Sequence, residues 1–121
     1  GASATLLGGV VAYATPVKSS LLGVDDELLA LHGAVHPQVA QQMAEGVREA
    51  VAVAGRRADI GISTTGVAGP DSPDGQPVGT VHIGVSSAAG TRSIACRFDG
   101  AAVRAQAVDA AIAAAIGLIG E

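Results

Sequence analysis

The feature that most constrains the fold of this chain is its supply of small side chains. Alanine occurs 25 times and glycine 17 times among 121 residues, whereas Tyr13 and Phe98 are the only aromatic residues. Small residues let helices and strands approach closely, but each buries little apolar area. Because hydrophobic residues still make up 49% of the chain and charged residues only 15%, we expect one folded domain that completes its apolar burial in a homo-oligomer.

Charge and cysteine content argue against several classes of protein. The net charge of −4 disfavours a nucleic-acid partner, because such proteins present a basic surface. Cys96 is the only cysteine and cannot form an internal disulfide, which predicts a reducing, cytoplasmic compartment. No apolar run approaches the ~20 residues that span a bilayer, so no membrane contact is expected. The three histidines, His32, His36 and His82, lack the spacing of metal ligands, so we expect no metal site.

Hydrophobic periodicity predicts an α/β fold. The predicted elements, in chain order, are a buried strand over Leu6–Tyr13, a short helix over Asp25–Leu31, a helix over Pro37–Ala54, a strand over Ala58–Ser63, a hairpin of Val78–Val85 and Arg92–Phe98, and a helix over Ala101–Ile119. This order predicts a three-layer α/β/α sandwich with a mixed sheet, in which parallel strands are extended by the antiparallel hairpin. The last helix is predicted to face the core with the stripe Val108, Ile112, Ala115, Ile116 and Ile119.

One candidate for chemistry is Lys18, the only lysine of the chain. It follows the first predicted strand by five residues and comes shortly after Pro16. Sites in open α/β sheets gather beyond the carboxyl ends of strands, and a partly desolvated lysine has a lowered pKa and can act as a general base. The alternative is an ordinary solvated lysine in a loop.

Two further candidates point to an anionic ligand. Arg104 extends the predicted inward stripe near the N-terminus of the last helix, the unfavourable end for a cation, and a bound anion would offset that cost; the alternative is an arginine at the rim of the core. The glycine-rich loop Thr64–Gly79 follows a predicted strand directly. Its amides and hydroxyls could face a ligand, although it matches no phosphate-loop pattern and could be a plain structural turn.

Seven short stretches, spread over the whole chain, match one known family in order. They are Gly8–Tyr13 with Lys18, Leu22–Val24, His32–Val35, Met43–Gly46, Thr65–Pro70, Pro77–Val81, and Ala102–Arg104 with Gln106 and Ala107. No single stretch is decisive, but the ordered set resembles the C-terminal domain of CinA, a competence-damage inducible protein. That domain also occurs alone as nicotinamide-nucleotide amidase.

The resemblance implies a serine amidohydrolase of NAD salvage that needs no cofactor. The enzyme would release ammonia from nicotinamide mononucleotide and leave nicotinic acid mononucleotide. Lys18 would be the catalytic base that activates the serine, and Tyr13 would line the catalytic site. The residues implied in substrate binding are Thr65, Gly66, Ala68, Gly69 and Arg104, the last of which would meet the phosphate or the reacting amide.

The sequence departs from the family pattern at the nucleophile. The family serine lies in a Glu-Ser-Cys-Thr-Gly-Gly-like turn that no stretch of these residues matches. This predicts that residues 1–121 form a single CinA C-terminal-like domain that is incomplete at its N-terminus, with the serine supplied by a larger parent protein. The alternative function is a catalytically inactive module for nucleotide binding or oligomerisation, which the replacement of the family's Ser-Asn by Ala14 and Thr15 favours.

Overall fold

The computed structural model describes residues 5–72, 75–99 and 103–119, with only the backbone described at positions 104, 118 and 119. In chain order the elements are α1 (Thr15–Leu22), α2 (Asp26–His32), α3 (Pro37–Ala50), β1 (Gly61–Gly66), β2 (Thr80–Ser87), β3 (Gly90–Arg97) and α4 (Val103–Ile119). The predicted α/β class is therefore confirmed. No helix in the described ranges is long and apolar enough to cross a membrane.

Local sequence signals explain where the helices begin and end. The Asp25 carboxylate accepts a hydrogen bond from the Glu27 amide at the start of α2, as an N-cap residue does. The α1 helix has a proline in its first turn and ends at Gly23, which adopts φ 68° and donates its amide to carbonyls of the last turn. This helix was not predicted from the sequence, because an eight-residue helix of mixed character carries little periodic signal.

The sheet is antiparallel throughout the described residues, in the order β1-β2-β3. The predicted hairpin is confirmed, since β2 pairs with β3 from Thr80 and Arg97 to Ser87 and Gly90. The expected parallel strand over Leu6–Tyr13 was wrong: this segment has no strand assignment. Its side chains explain why, because Val10 and Ala12 pack against a cluster of helical residues while Val11 is 90% exposed. The mixed sheet is consequently not observed.

One face of the sheet packs closely against α3 and is built from glycine and small polar residues. A Cβ atom placed on Gly84 would overlap the carbonyl oxygen of Ala40, and one on Gly61 would overlap that of Ala44. The Ser63 hydroxyl donates to the same Ala40 carbonyl at 2.5 Å. The helix therefore lies so close to the strands that a strand side chain donates a hydrogen bond to the helix backbone. Only small residues on the strands permit this close approach.

The opposite face packs against α4 through a different set of small residues. Its apolar cluster joins Val81, Ile83 and Val85 of β2 to Val103, Ala107 and Ala111 of α4. The predicted inward stripe was therefore largely wrong: Ala115 is buried, but Val108, Ile112 and Ile116 are 54%, 51% and 64% exposed, and the Ile119 side chain lies outside the described part. The helix turns its alanines to the sheet because they allow the closer approach.

Candidate functional site

Lys18 is buried between α1 and the extended segment that precedes it. Its side chain is only 7% exposed, and Nζ donates a hydrogen bond to the Ala12 carbonyl oxygen at 2.5 Å. Burial lowers the pKa of this amine below its ordinary value, because the charged form loses hydration. In the described part of the chain no hydrogen bond or ion pair joins Lys18 to a carboxylate. A desolvated amine of this kind can accept a proton once it is neutral.

The position of Lys18 is fixed by the elements on either side of it. The Gly23 amide, at the end of α1, bonds to the Ser19 carbonyl, and the Lys18 carbonyl accepts from Val24 at 3.1 Å. Ala12, whose carbonyl accepts from Nζ, belongs to the apolar cluster that also holds Leu22 and Val24. The lysine therefore belongs to the α1 packing unit, and is not a solvated loop residue.

Tyr13 follows Ala12 directly and points away from this cluster. Its side chain is 85% exposed, so it shares no buried pocket with Lys18 in this structure. The hydrogen bond between Nζ and Ala12 nevertheless holds the backbone beside Tyr13. Its role in lining a site stays a prediction.

The end of β1 and the segment that follows it are held by several hydrogen bonds, although that segment contains few regular elements. The Thr65 hydroxyl donates to the Ala34 carbonyl at 2.7 Å, and Val67 exchanges bonds with Thr80 and Gly79. Gly69 has φ 87° and is joined to Pro70 by a cis peptide bond. The strand itself ends at Gly66, three residues later than predicted. Residues 73 and 74 of the predicted loop lie outside the described part.

The structure does not join all the candidate residues into one site. The α1 helix packs against α2 and α3 and, among the elements described, contacts no strand. Lys18 and Thr65 therefore lie on elements that do not pack against each other. Gly66, Ala68 and Gly69 follow Thr65 along the chain. The side chain of Arg104 lies outside the described part, so its direction stays a prediction.

A histidine cluster beside Thr65 was not predicted from the sequence. Alternation along the predicted strand would point His82 outward, but it is 9% exposed and lies opposite Thr65 in the register of β1 and β2. His32 and His36 stack with their ring centroids 4.4 Å apart. The signal in the sequence was the short spacing between His32 and His36, which allows their rings to come into contact. In the described ranges no group of three His, Cys, Asp or Glu side chains could hold a metal ion.

A shallow cleft of about 400 Å³ lies between the end of α1 and α3. Its carboxylates come from Asp25, Glu45 and Glu49, and Glu49 pairs with Arg57 at 3.2 Å. Lys18 is not among the residues that line it. With more acidic than basic side chains, this cleft is unsuited to a phosphorylated ligand.

Comparison with known proteins identifies the family. The family model for the CinA C-terminal domain matches residues 1–119. A CinA-like protein of Frankia casuarinae is 47% identical over 114 residues, which are 93% of this chain and 25% of that protein. Another CinA-like protein, from Gloeobacter violaceus, is 48% identical over 98 residues, 80% of this chain and 22% of that protein. The chain thus spans about a quarter of the length of these relatives.

Solved structures agree with the sequence matches. The crystal structure of competence damage-inducible protein A from Klebsiella pneumoniae superposes with a TM-score of 0.83 at 35% identity, covering 93% of this chain and 69% of that one. A CinA superfamily protein from Escherichia coli gives a TM-score of 0.79 at 32% identity, covering 89% and 62% of the two chains. From its fold and from the family model together, this chain belongs to the CinA C-terminal domain family.

Proposed function

We propose that this domain carries the lysine base and substrate loop of an amidohydrolase that deamidates nicotinamide mononucleotide. The observation that carries the proposal is the burial of the Lys18 amine, whose pKa is lowered and whose one hydrogen bond among the described residues goes to a backbone carbonyl. An ordinary structural lysine is exposed or paired with a carboxylate. The substrate itself is proposed from the family resemblance.

The proposed reaction uses the neutral amine as a general base. Lys18 Nζ would accept the proton of a serine hydroxyl supplied by the whole protein, and the serine oxygen would attack the carboxamide carbon of the nicotinamide ring. Ammonia would leave with a proton returned by the lysine, and water would then hydrolyse the acyl-enzyme ester to give the carboxylate. Burial favours this role because it lowers the amine pKa towards neutrality, where a base is most effective.

Substrate binding is assigned to the end of β1 and the segment that follows it. The nucleotide would contact the backbone of four residues, Thr65, Gly66, Ala68 and Gly69. Their short side chains would leave that backbone accessible. Arg104 would bind the phosphate or the reacting amide, because a guanidinium at a helix N-terminus adds forked donors where the helix already favours an anion. In this arrangement the loop binds the substrate and the lysine activates the nucleophile.

The test is ammonia release from nicotinamide mononucleotide by the purified full-length protein and its Lys18 variants. Lys18→Met retains the apolar stem and removes the base, and Lys18→Arg retains the charge but cannot give up its proton at neutral pH. Both should lose turnover by about 10²–10⁴-fold, the usual contribution of a general base. Arg56→Met is the matched control, because it removes a cation from an exposed surface pair and should turn over as wild type does.

The same assay tests Arg104 and the alternative function. Arg104→Lys should weaken use of the nucleotide by on the order of 1–3 kcal/mol, as expected for a charge-assisted hydrogen bond, and should leave the dephosphorylated nucleoside unaffected. Nucleotide binding without any turnover would favour the inactive binding module instead. Wild-type turnover in Lys18→Met would remove the lysine from the mechanism.

A further inference from the structure

The start of α3 is capped by a side chain that can do so only without a proton. His36 is the N-cap residue, and its Nδ1 accepts a hydrogen bond from the Gln38 amide at 3.1 Å. A protonated imidazole has an N–H group on both nitrogens and can accept nothing. It would also place a positive charge at the positive end of the helix dipole. A proton on Nδ1 of His36 therefore replaces the cap with a repulsive contact.

Two more histidines lie around this cap. His32 stacks on His36 with 4.4 Å between the ring centroids. His82 lies on the sheet beneath α3, is nine-tenths buried, and has an Nδ1 atom with no hydrogen-bond partner among the described residues. Burial lowers the pKa of His36 and of His82, and the neighbouring histidine lowers each further. Each of these effects favours the neutral rings at neutral pH.

The charged groups around the cluster offer no compensation. Opposite His82 lie Thr65 on β1 and Ala95 on β3, and the next residue of β3 on the same face is the exposed Arg97. On α3 the nearest buried charge is Arg48, which bonds to Ala58 and Ser86 at the far end of the helix. The carboxylates of Asp25, Asp26 and Glu27 belong to the opposite end of α2 from His32. No described hydrogen bond or ion pair joins the three histidines to a carboxylate.

The cluster is connected mechanically to the proposed substrate loop. The connection between α2 and α3 runs from Gly33 to His36, and the Ala34 carbonyl within it accepts the hydroxyl of Thr65 at 2.7 Å. Thr65 is in turn the cross-strand neighbour of His82. Protonation of His36, in this connection, and of His82, on the sheet beneath it, would place like charges on the two sides of the contact. Their repulsion would push the connection away from the sheet, and Thr65 would lose its partner.

We propose that His36 and His82, with His32 stacked on His36, form a proton-sensitive latch, in which neutral His36 and His82 rings hold the α2–α3 connection against Thr65 and their protonated forms release it. The latch itself follows from the cap, the ring stack and the buried imidazole. Its effect on substrate binding rests on the proposed function: at acid pH, Thr65, at the start of the proposed binding loop, would lose its hydrogen bond and be held less firmly. His36 is then a positioning residue, because it acts on the loop through Ala34 and Thr65.

The first test measures urea unfolding between about pH 7.5 and 5, the range in which histidine titrates. His36→Asn is the informative variant, because asparagine caps a helix as well as any residue and does not titrate there. At pH 7.5 it should be as stable as wild type. At pH 5 the unfolding constant of wild type should exceed that of His36→Asn by about fivefold or more, the factor that corresponds to the ~1 kcal/mol of an N-cap. His36→Ala should already show that loss at pH 7.5.

The second test locates the effect. Amide hydrogen exchange at Gln38 and across Gly33–His36, corrected for its intrinsic pH dependence, should lose protection in acid in wild type and retain it in His36→Asn. If His36→Asn follows wild type in both measurements, the latch is wrong. With nicotinamide mononucleotide, KM should rise in acid for wild type more than for His36→Asn, while kcat changes alike in both. A protein that passes the unfolding and exchange tests but never turns over the nucleotide retains the latch and loses the proposed function.

Discussion

The buried amine of Lys18 makes a residue-scale prediction about stability that is separate from activity. Its pKa is lowered in the folded protein, so over a window below the ordinary lysine pKa the unfolded chain binds more protons than the folded one. The free energy of unfolding of wild type should therefore rise with pH through that window. Lys18→Met should lack this rise and should be at least as stable as wild type at pH 7, because it buries no charge. Urea unfolding from pH 7 to 10 measures both.

A fall in stability of Lys18→Met at every pH would contradict this expectation, because it would mean that the hydrogen bond to Ala12 outweighs the cost of burial. Gain of stability with loss of turnover is the pattern expected of a residue retained for its chemistry. A structural lysine would show loss of stability and no change in turnover.

Individual residues also show how much of the candidate site the sequence could reveal. Lys18 was recognisable, since it is the only lysine and lies next to a segment with family motifs. The burial of His82 was not recognisable. Alternation along β2 places His82 on the other face of the strand from Val81 and Ile83, and in a two-layer fold that face would be exposed to solvent. Only the position of α3 on that face buries the ring. A residue's exposure depends on which element covers it, and that is decided by contacts distant in sequence.

At the scale of elements, the close approach of α3 to the sheet predicts a strong effect of one methyl group. A Cβ on Gly84 would overlap the Ala40 carbonyl oxygen and crowd the Ser63 hydroxyl. Neither the backbone of α3 nor the central strand can yield easily, so Gly84→Ala should lower the free energy of unfolding by about 1–3 kcal/mol, the usual cost of overpacking. Gly9→Ala is the control: it lies in the extended segment before α1, with open space around it and no positive φ, and should be neutral or stabilising by up to ~1 kcal/mol.

Thermal or urea unfolding of the two glycine variants decides the matter. Equal stability of Gly84→Ala and wild type would mean that α3 can shift outward without loss, and that the hydroxyl–carbonyl bonds beneath it are not needed. The same shift would alter the environment of His82, which lies on the same face two residues before Gly84.

The elements differ in how well their pattern predicted them. The α2 and α3 helices were found because each begins with a capping residue and has regular apolar spacing, although α3 ends at Ala50 where Ala54 was predicted. The hairpin was found from alternation around a turn that contains glycine. The Leu6–Tyr13 segment has strand composition but no strand pairing, since composition cannot show whether a partner strand is available. The inward face of α4 was predicted wrongly because its largest apolar side chains were expected to face the sheet. Its alanines face the sheet instead, because small side chains let the helix come closer to the strands.

At the scale of the whole molecule, α3 lies between one apolar unit and the sheet, and a second apolar unit lies on the opposite face of the sheet. One contains Ala12, Leu22, Val24, Leu29 and their neighbours among the helices; the other contains β2 and α4. Lys18 belongs to the first unit and Thr65 to the strands next to the second. A substrate that contacts both Lys18 and Thr65 must therefore extend from α1 to β1, which both pack against α3. A latch at the N-terminus of α3 lies where it can influence the binding of such a substrate.

The exposed side of α4 leads to the last prediction, that the protein forms a homodimer through this helix. Val108, Ile112 and Ile116 make a ridge at a spacing of four residues, and the row beside it, at 105, 109, 113 and 117, is a groove of small residues except at Asp109. A ridge next to a groove is self-complementary, so two copies related by a two-fold axis can each place the ridge in the partner's groove. After Asp109 the helix carries only apolar residues on every side, and a helix segment of that kind is normally buried. A pair of helices is a small interface, so a dissociation constant of roughly micromolar size is expected. Sedimentation equilibrium should give two chains for wild type and one for Ile112→Asp, whose side chain is exposed in the single chain and need not disturb its fold. Leu31→Asp, at an exposed apolar residue of α2, should remain dimeric. A wild-type mass of one chain at tens of micromolar, or a dimer that survives Ile112→Asp, would show that α4 does not bind a second copy.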